Sequence, residues 1–187
     1  MKTLIINGSP KKNGDTVALI LELTKHLNGE VKIISCHDNI QPCNDCRYCW
    51  KHEGCAIEDE MQEVYPYLEV CDNIVIASPI WFSSLSGPTL SLASRVQTLY
   101  AAGRFRKLPV KEKKKNGVIM LVGAEPVTAV IPAQTALTIM KSMNVYRQGV
   151  EKIYSLDTNN VPAEKDFPAL ARCREVAELL NRSSGGE

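Results

Sequence analysis

Four short, largely apolar runs and a fifth strand near residues 146–154, alternating with segments of helical periodicity, limit what this chain can fold into. "KTLIIN" (residues 2–7) is rich in β-branched side chains and closes on Gly8; "NIVIAS" (73–78) reads alike, "VKIIS" (31–35) and "GVIMLV" (117–122) are further strands, and a fifth lies near 146–154. Runs apolar throughout mark parallel strands buried between helices. Between the first two, residues 16–27 place Val17, Ile20, Leu21 and Leu27 on one helical face and stop at Asn28–Gly29. Further helices are expected over 59–70, 89–100, 133–143 and 168–180, with a kink or early break at Pro66 and a loose "SSGGE" tail. Strict strand–helix alternation makes an α/β fold, a five-stranded parallel sheet with helices on both faces. In such sheets a ligand sits beyond the carboxyl ends of the strands. Chemistry is therefore sought after strands one, three and four, in "GSPKKNGDT", "SPIWFSSLSG" and "GAEPVT".

Length and charge narrow the partners. At 187 residues the chain is read as one domain, 1–187, with a cysteine-rich insertion at 36–58. A formal net charge of +1 gives no field for nucleic acid or an anionic membrane. No apolar run approaches the ~20 residues that span a bilayer, and "MKTLIINGSP" is too short for a secretory leader. A cytoplasmic protein is expected. Seven cysteines, an odd number in a reducing compartment, argue against a disulfide framework.

The first loop has the composition of an anion cradle. Gly8 and Gly14 allow tight backbone, Ser9 and Thr16 bring hydroxyls, Asn13 an amide, and the following helix its N-terminal N–H groups. Gly14 is followed by Asp15, not by the Lys-Ser/Thr of a nucleotide-hydrolysing loop, and the GxGxxG dinucleotide pattern is missing. Asn7 stands where a phosphorylation receiver would need an acid to hold magnesium. A phosphate monoester held by neutral donors remains, beside a plain strand-to-helix turn. Asp15 must then point away from the anion or cap the helix. In the third-strand loop, Trp81 and Phe82 offer a flat wall for a conjugated ring such as isoalloxazine; the alternative is packing on a helix or a second subunit.

Four cysteines fall within "CNDCRYCWKHEGC" with the spacing C-x2-C-x2-C-x5-C: Cys43, Cys46, Cys49 and Cys55. Two successive two-residue gaps suit one face of a [4Fe–4S] cubane better than zinc, which prefers knuckles separated by a longer loop. Free or redox-active thiols are the third reading. Cys36, Cys71 and Cys173 are read as small buried hydrophobes.

The succession "GSPKKNGDT … CNDCRYCW … GCAIEDEM … SPIWFSSLSG" resembles the flavodoxin-fold NAD(P)H-dependent FMN reductases, and within them the iron–sulfur flavoproteins, over residues 1–125. The resemblance implies a flavodoxin-like doubly wound sheet of strand order 2-1-3-4-5. It implies FMN, with Ser9, Lys11, Asn13 and Thr16 on the phosphate. Pro79, Ile80, Trp81, Phe82 and Ser86 would border the ring, and Gly123, Ala124 and Glu125 would close the third side. NAD(P)H would be co-substrate, Cys43, Cys46, Cys49 and Cys55 would ligate a [4Fe–4S] cluster, and the chain would form a homodimer or homotetramer. The chain departs from these relatives in helix three, where Leu90 and Ser94 precede Arg95 in place of their Lys and Asp-Arg, and at Trp81, where many have Tyr.

The expected activity is transfer of hydride from NAD(P)H to FMN, with electrons passed to a small-molecule or protein acceptor or through the cluster. A flavin/iron–sulfur electron carrier reduced by a protein partner is the alternative, and a zinc-stabilised regulatory domain a third. His26, His37 and His52 are scattered, and no Ser-His-Asp or Cys-His arrangement emerges; the flavin itself would carry the reaction, with no protein residue catalytic. The acids Glu58–Glu60 are read as a helix cap. The basic stretch Arg104–Lys115 is read as a solvated loop, with docking of NADPH phosphates or an acidic partner as the alternative.

Overall fold

The computed structural model describes residues 1–108 and 113–183, the side chains of residues 147 and 148 apart. Residues 109–112 of the basic stretch and 184–187 of the tail lie outside the described residues. In chain order the elements are β1 (Lys2–Asn7), α1 (Asp15–His26), β2 (Glu30–Ser35), α2 (Met61–Val70), β3 (Asn73–Trp81), β4 (Ser84–Leu85), α3 (Gly87–Ser94), α4 (Gln97–Arg104), β5 (Lys115–Val122), α5 (Val130–Lys141), β6 (Val145–Ser155) and α6 (Phe167–Ser183). Among the described residues no helix is long and apolar enough to cross a membrane.

Five parallel strands run in the order β2-β1-β3-β5-β6, and two-residue β4 folds back antiparallel on the end of β3. Counting only the parallel strands, this is the expected 2-1-3-4-5. Alternate residues of the strands feed opposite faces. Leu4, Ile6, Ile74, Ile76, Ile119 and Leu121 pack under α2, α3 and α5. Ile5, Val75, Ala77, Val118 and Met120 pack under α1 and α6. Each fully buried Leu or Ile is worth roughly 1.5–3 kcal/mol, so the two layers leave the strands no other register. Cys71 and Cys173 sit in these layers without exposure, and burial pushes their thiols up to about 11 and about 12, as small hydrophobes should behave.

Three expectations change. Pro66 does not end its helix: α2 continues through it, with Met61, Val64, Tyr67 and Leu68 anchored in the core. The helix expected over 89–100 is two helices, because the turn at Arg95 and Val96 tightens to i−3 hydrogen bonds while Arg95 points inward. β3 extends three residues beyond Ser78, since Ile80 and Trp81 pair with Leu85 and Ser84 in a hairpin.

Candidate functional site

The loops leaving β1, β3 and β5 meet along one edge of the sheet. The Gly8 N–H donates to the Ala77 carbonyl (2.9 Å), joining the first loop to β3. A Cβ on Gly123 would lie 3.2 Å from Ile80 Cδ1, so the third loop presses on the second. The Gly123 N–H is held by the Ser155 carbonyl (2.9 Å), while Ala124 and Glu125 are exposed.

In the first loop Asn7 turns back to accept from the Ser9 N–H (3.0 Å). The buried Ser9 hydroxyl donates to the Lys11 carbonyl (3.1 Å) and accepts from the Lys11 N–H (3.3 Å). Lys11 and Asn13 are exposed. Thr16, in the first turn of α1, is 2% exposed, and its hydroxyl has no hydrogen-bond partner among the described residues. Gly14 caps α1 without a side-chain acceptor, leaving first-turn N–H groups open to an anion. Asp15 points away: its carboxylate accepts from the Ala163 N–H (2.8 Å), across the face where α1 meets α6.

The second loop is a hairpin rather than an open loop. Phe82 and Ser83 both take left-handed backbone (φ 49° and 54°), the geometry of a type I′ turn, and Phe82 is fully exposed. Trp81 is half exposed and Pro79 and Ile80 partly buried. Ser86 lies below them without exposure, spending its hydroxyl inside the protein. It donates to the Gly8 carbonyl (2.8 Å), accepts from the Thr89 N–H (3.2 Å) and so caps α3. Thr89 in turn donates to Ser78 Oγ (2.8 Å). Ser78 and Thr89, which the sequence did not single out, thus fasten the first loop to the second.

The cysteine segment leaves β2 at the same edge, where the Cys36 thiol donates to the Ser9 carbonyl (3.1 Å). Its regular structure is one turn of 3₁₀ helix, Tyr48–Trp50, and left-handed Asp45 and Arg47 coil the chain tightly. Cys43, Cys46, Cys49 and Cys55 all line one cavity of about 360 Å³, closed on the far side by α3 and α4. Burial pushes the Cys49 thiol up, and the neighbouring Cys43, Cys55 and Cys46 push it the same way. No group of three or more His, Cys, Asp or Glu among the described residues is in metal-ligating arrangement.

Contacts with the helices fix the segment. The Cys43 N–H donates to Ser94 Oγ (2.9 Å), the Thr98 hydroxyl to the Gly54 carbonyl (2.9 Å), and the Gln62 amide to the carbonyls of Cys55 (2.8 Å) and Ile57 (2.7 Å). Trp50 stacks on Phe105 at 4.0 Å. Asp59 accepts from the Met61 N–H (3.0 Å) at the start of α2, as a capping acid should, but its other oxygen turns inward to the Gln41 N–H and Arg95. Burial works to raise the Asp59 carboxyl, yet these bonds outweigh it and hold the group below the usual carboxylate range. In the basic stretch Lys113 is engaged by Asp72 (2.8 Å) and the Val70 carbonyl (2.6 Å).

Residues 1–146 match the sequence family described as NADPH-dependent FMN reductase. The chain belongs to that family. Among curated relatives of this FMN reductase family member is an iron-sulfur flavoprotein of Archaeoglobus fulgidus, 32% identical over 100 residues that cover 52% of this chain and 51% of the relative. Another is an iron-sulfur flavoprotein of Methanocaldococcus jannaschii, 31% identical over 129 residues, 67% of this chain and 63% of the relative. The chain thus spans between half and two thirds of these relatives' lengths. Similar folds include the NAD(P)H:quinone oxidoreductase from Methanothermobacter marburgensis (TM-score 0.68, 13% identity, 95% of each chain). The FMN-dependent NADH-azoreductase of Bacillus anthracis, solved with FMN, matches with TM-score 0.63 and 13% identity over 97% of this chain and 100% of the other. At such identity these two speak for the flavodoxin-like fold alone.

Proposed function

We propose that this FMN reductase family member is an oxidoreductase that holds FMN where the loops after β1, β3 and β5 converge, takes hydride from NAD(P)H, and hands electrons to a small acceptor or through the cysteine cavity. One observation carries the reading: Thr16, a largely buried residue whose hydroxyl is spent on no protein group, beside an uncapped helix N-terminus at the carboxyl edge of the sheet. Ser9, Asn13, Thr16 and the α1 amides would hold the phosphate, with Lys11 adding charge from the rim. Trp81 and Phe82 would shelter the ring on one side and Gly123, Ala124 and Glu125 on another. Pro79 and Ile80 line the strand end between them. Ser86 serves by bracing Gly8 against α3. Asp15, turned toward Ala163, keeps its negative charge out of the cradle.

Bound there, FMN supplies a ring that accepts a hydride and releases electrons singly, while a [4Fe–4S] cluster on Cys43, Cys46, Cys49 and Cys55 supplies one-electron transfer. Four thiols on one cavity are the donor chemistry such a cluster takes, though they do not stand in a metal-ligating arrangement among the described residues, and the relatives' name points the same way. The protein's part is to bind, orient and exclude water. Exposed Val127, Val130 and Ile131 beside the hairpin favour a homodimer or homotetramer, and seven free cysteines suit a reducing compartment such as the cytoplasm.

The test is direct. Flavin-free chain titrated with FMN should quench its fluorescence, and the loaded protein should oxidise NADH or NADPH with a quinone as acceptor. Absence of quenching removes the flavin reading. FMN binding without NAD(P)H oxidation turns the conclusion to the second reading, an electron carrier reduced by a protein partner, which the exposure of Cys43 and Cys46 favours.

A further inference from the structure

The side-chain hydroxyls of Ser78, Ser86 and Thr89 lie without exposure beneath the loops after β1 and β3. They form one unbroken chain. Ser86 Oγ donates to the Gly8 carbonyl (2.8 Å) and stands 2.8 Å from Thr89 Oγ1. Thr89 Oγ1 donates to Ser78 Oγ (2.8 Å), and Ser78 Oγ donates to the Pro79 carbonyl (2.8 Å). The Ser86 N–H crosses back to Ser78 Oγ (3.0 Å). One end of the chain is thus the residue before Ser9, in the phosphate cradle, and the other is the first residue of the ring wall. Gly8 is held at its second backbone group as well, since its N–H donates to the Ala77 carbonyl (2.9 Å). A buried hydrogen-bond network whose members are all satisfied fixes one geometry. Thr89 is its middle link, and its hydroxyl fills the space that a side chain on Gly8 would take.

We propose that Thr89 is a positioning residue of the flavin site: through Ser86 and Ser78 its hydroxyl sets the spacing between the phosphate cradle and the ring wall, so that one molecule engages both. The proposal rests on the FMN reading above and adds a residue sealed from the ligand itself. A ligand with two recognised parts gains affinity from the second only where the two subsites stand at the matching distance. A hydroxyl holds that distance short, because O–H···O contacts close to roughly 2.7–2.8 Å, whereas carbon packs at about 3.5–4.0 Å. A methyl group in place of Thr89 Oγ1 pushes Ser86 and Ser78 away and leaves the cradle out of step with the wall.

The experiment compares FMN with riboflavin, the same ring without the phosphate, by fluorescence titration of the flavin-free chain. The ratio of the two affinities reports how well cradle and wall act together, and a general loosening of the fold leaves it unmoved. Thr89→Val replaces the hydroxyl by a methyl, and Thr89→Ser keeps the hydroxyl without the methyl. Thermal melting reports folding of each. In Thr89→Val the preference for FMN should fall about tenfold, within the ordinary range of coupling between sites, with riboflavin affinity kept. Thr89→Ser should restore the preference. If the Val variant fails to fold, Ser78→Ala decides, since it cuts the same chain at the hairpin end without added volume, and the same fall is expected. An unchanged preference in the folded variant, or an equal loss in the Ser and Val variants, overturns the role of the Thr89 hydroxyl and leaves the flavin reading standing. An unsubstituted chain with no preference for FMN over riboflavin removes the phosphate cradle. One that binds neither fells the flavin reading itself, and this proposal falls in both cases.

Discussion

Gly8 and Thr89 approach so closely that a methyl group on Gly8 would lie 1.7 Å from the Thr89 hydroxyl oxygen, 2.6 Å from its Cβ and 2.8 Å from its Cα. Because the last contact is backbone, α3 itself would have to move. Gly8→Ala should therefore cost ~1–3 kcal/mol in urea unfolding, the usual penalty of overpacking. Adding Thr89→Ala, which removes the nearest of these three atoms but leaves the other two, should restore part of it. A Gly8→Ala chain of unchanged stability would show that this contact is slack.

Thr16 and Asp15 are neighbours with opposite expected phenotypes. The Thr16 hydroxyl serves no protein group, so Thr16→Ala should leave stability within ~0.5 kcal/mol while weakening FMN about tenfold, near 1.4 kcal/mol. Asp15→Ala leaves the Ala163 N–H without its acceptor and should cost ~1 kcal/mol of stability with FMN affinity undiminished. Paired melting curves and FMN titrations separate the two. Equal FMN affinity in Thr16→Ala and the unsubstituted chain would remove Thr16 from the phosphate site.

Phe82 occupies a left-handed turn position that favours Asn or Gly, and does so fully exposed. Replacing Phe82–Ser83 by Asn-Gly should raise stability by ~1 kcal/mol. The same change should weaken FMN binding, since the exposed ring is retained there against local preference. A stabilised hairpin with undiminished FMN affinity would assign the ring to another surface.

Glu22 ties α1 to α6. Its carboxyl is lowered to about 2, first by the Arg174 hydrogen bond (2.8 Å), against burial, with Lys25 and His26 assisting. A carboxyl depressed in the folded state stabilises it fully above the unfolded value of 4.5, and that contribution fades as pH falls toward 2. Glu22→Gln should thus cost about 1–2 kcal/mol at pH 7, the partners being partly solvated. The gap to the unsubstituted chain should close between pH 4.5 and 2 in a series of melts. A gap that stays constant over that range would rule out the charge as its source.

The centre of the sheet was legible because its strands are apolar on both faces, as helix-covered parallel strands are, so "GVIMLV" and "NIVIAS" read clearly, while the edge strands β2 and β6 carry charged residues and read less sharply. Boundaries decided by side-chain anchoring were not. Pro66 was expected to disturb α2, but core contacts at Met61, Val64, Tyr67 and Leu68 outweigh one missing hydrogen bond. The break between α3 and α4 follows from Arg95 reaching Asp59, 36 positions away, which no local window records. Its signal was present all the same: a single cation in the otherwise uncharged "LSLASRVQTLY", preceded in the chain by the acids Glu58–Glu60. Of the candidate site, glycines and hydroxyls were readable from composition. The division of labour between Ser86, spent inside the protein, and Thr16, left open, depends on partners from distant strands.

The helices that wall in Cys43–Cys55 are encoded after it. During synthesis these thiols clear the ribosome about fifty residues ahead of Phe105, an interval of roughly 3–10 s at ~5–20 residues per second. For that time the nascent chain presents four uncovered sulfurs, open to iron, zinc or an oxidant before the enclosing residues have emerged.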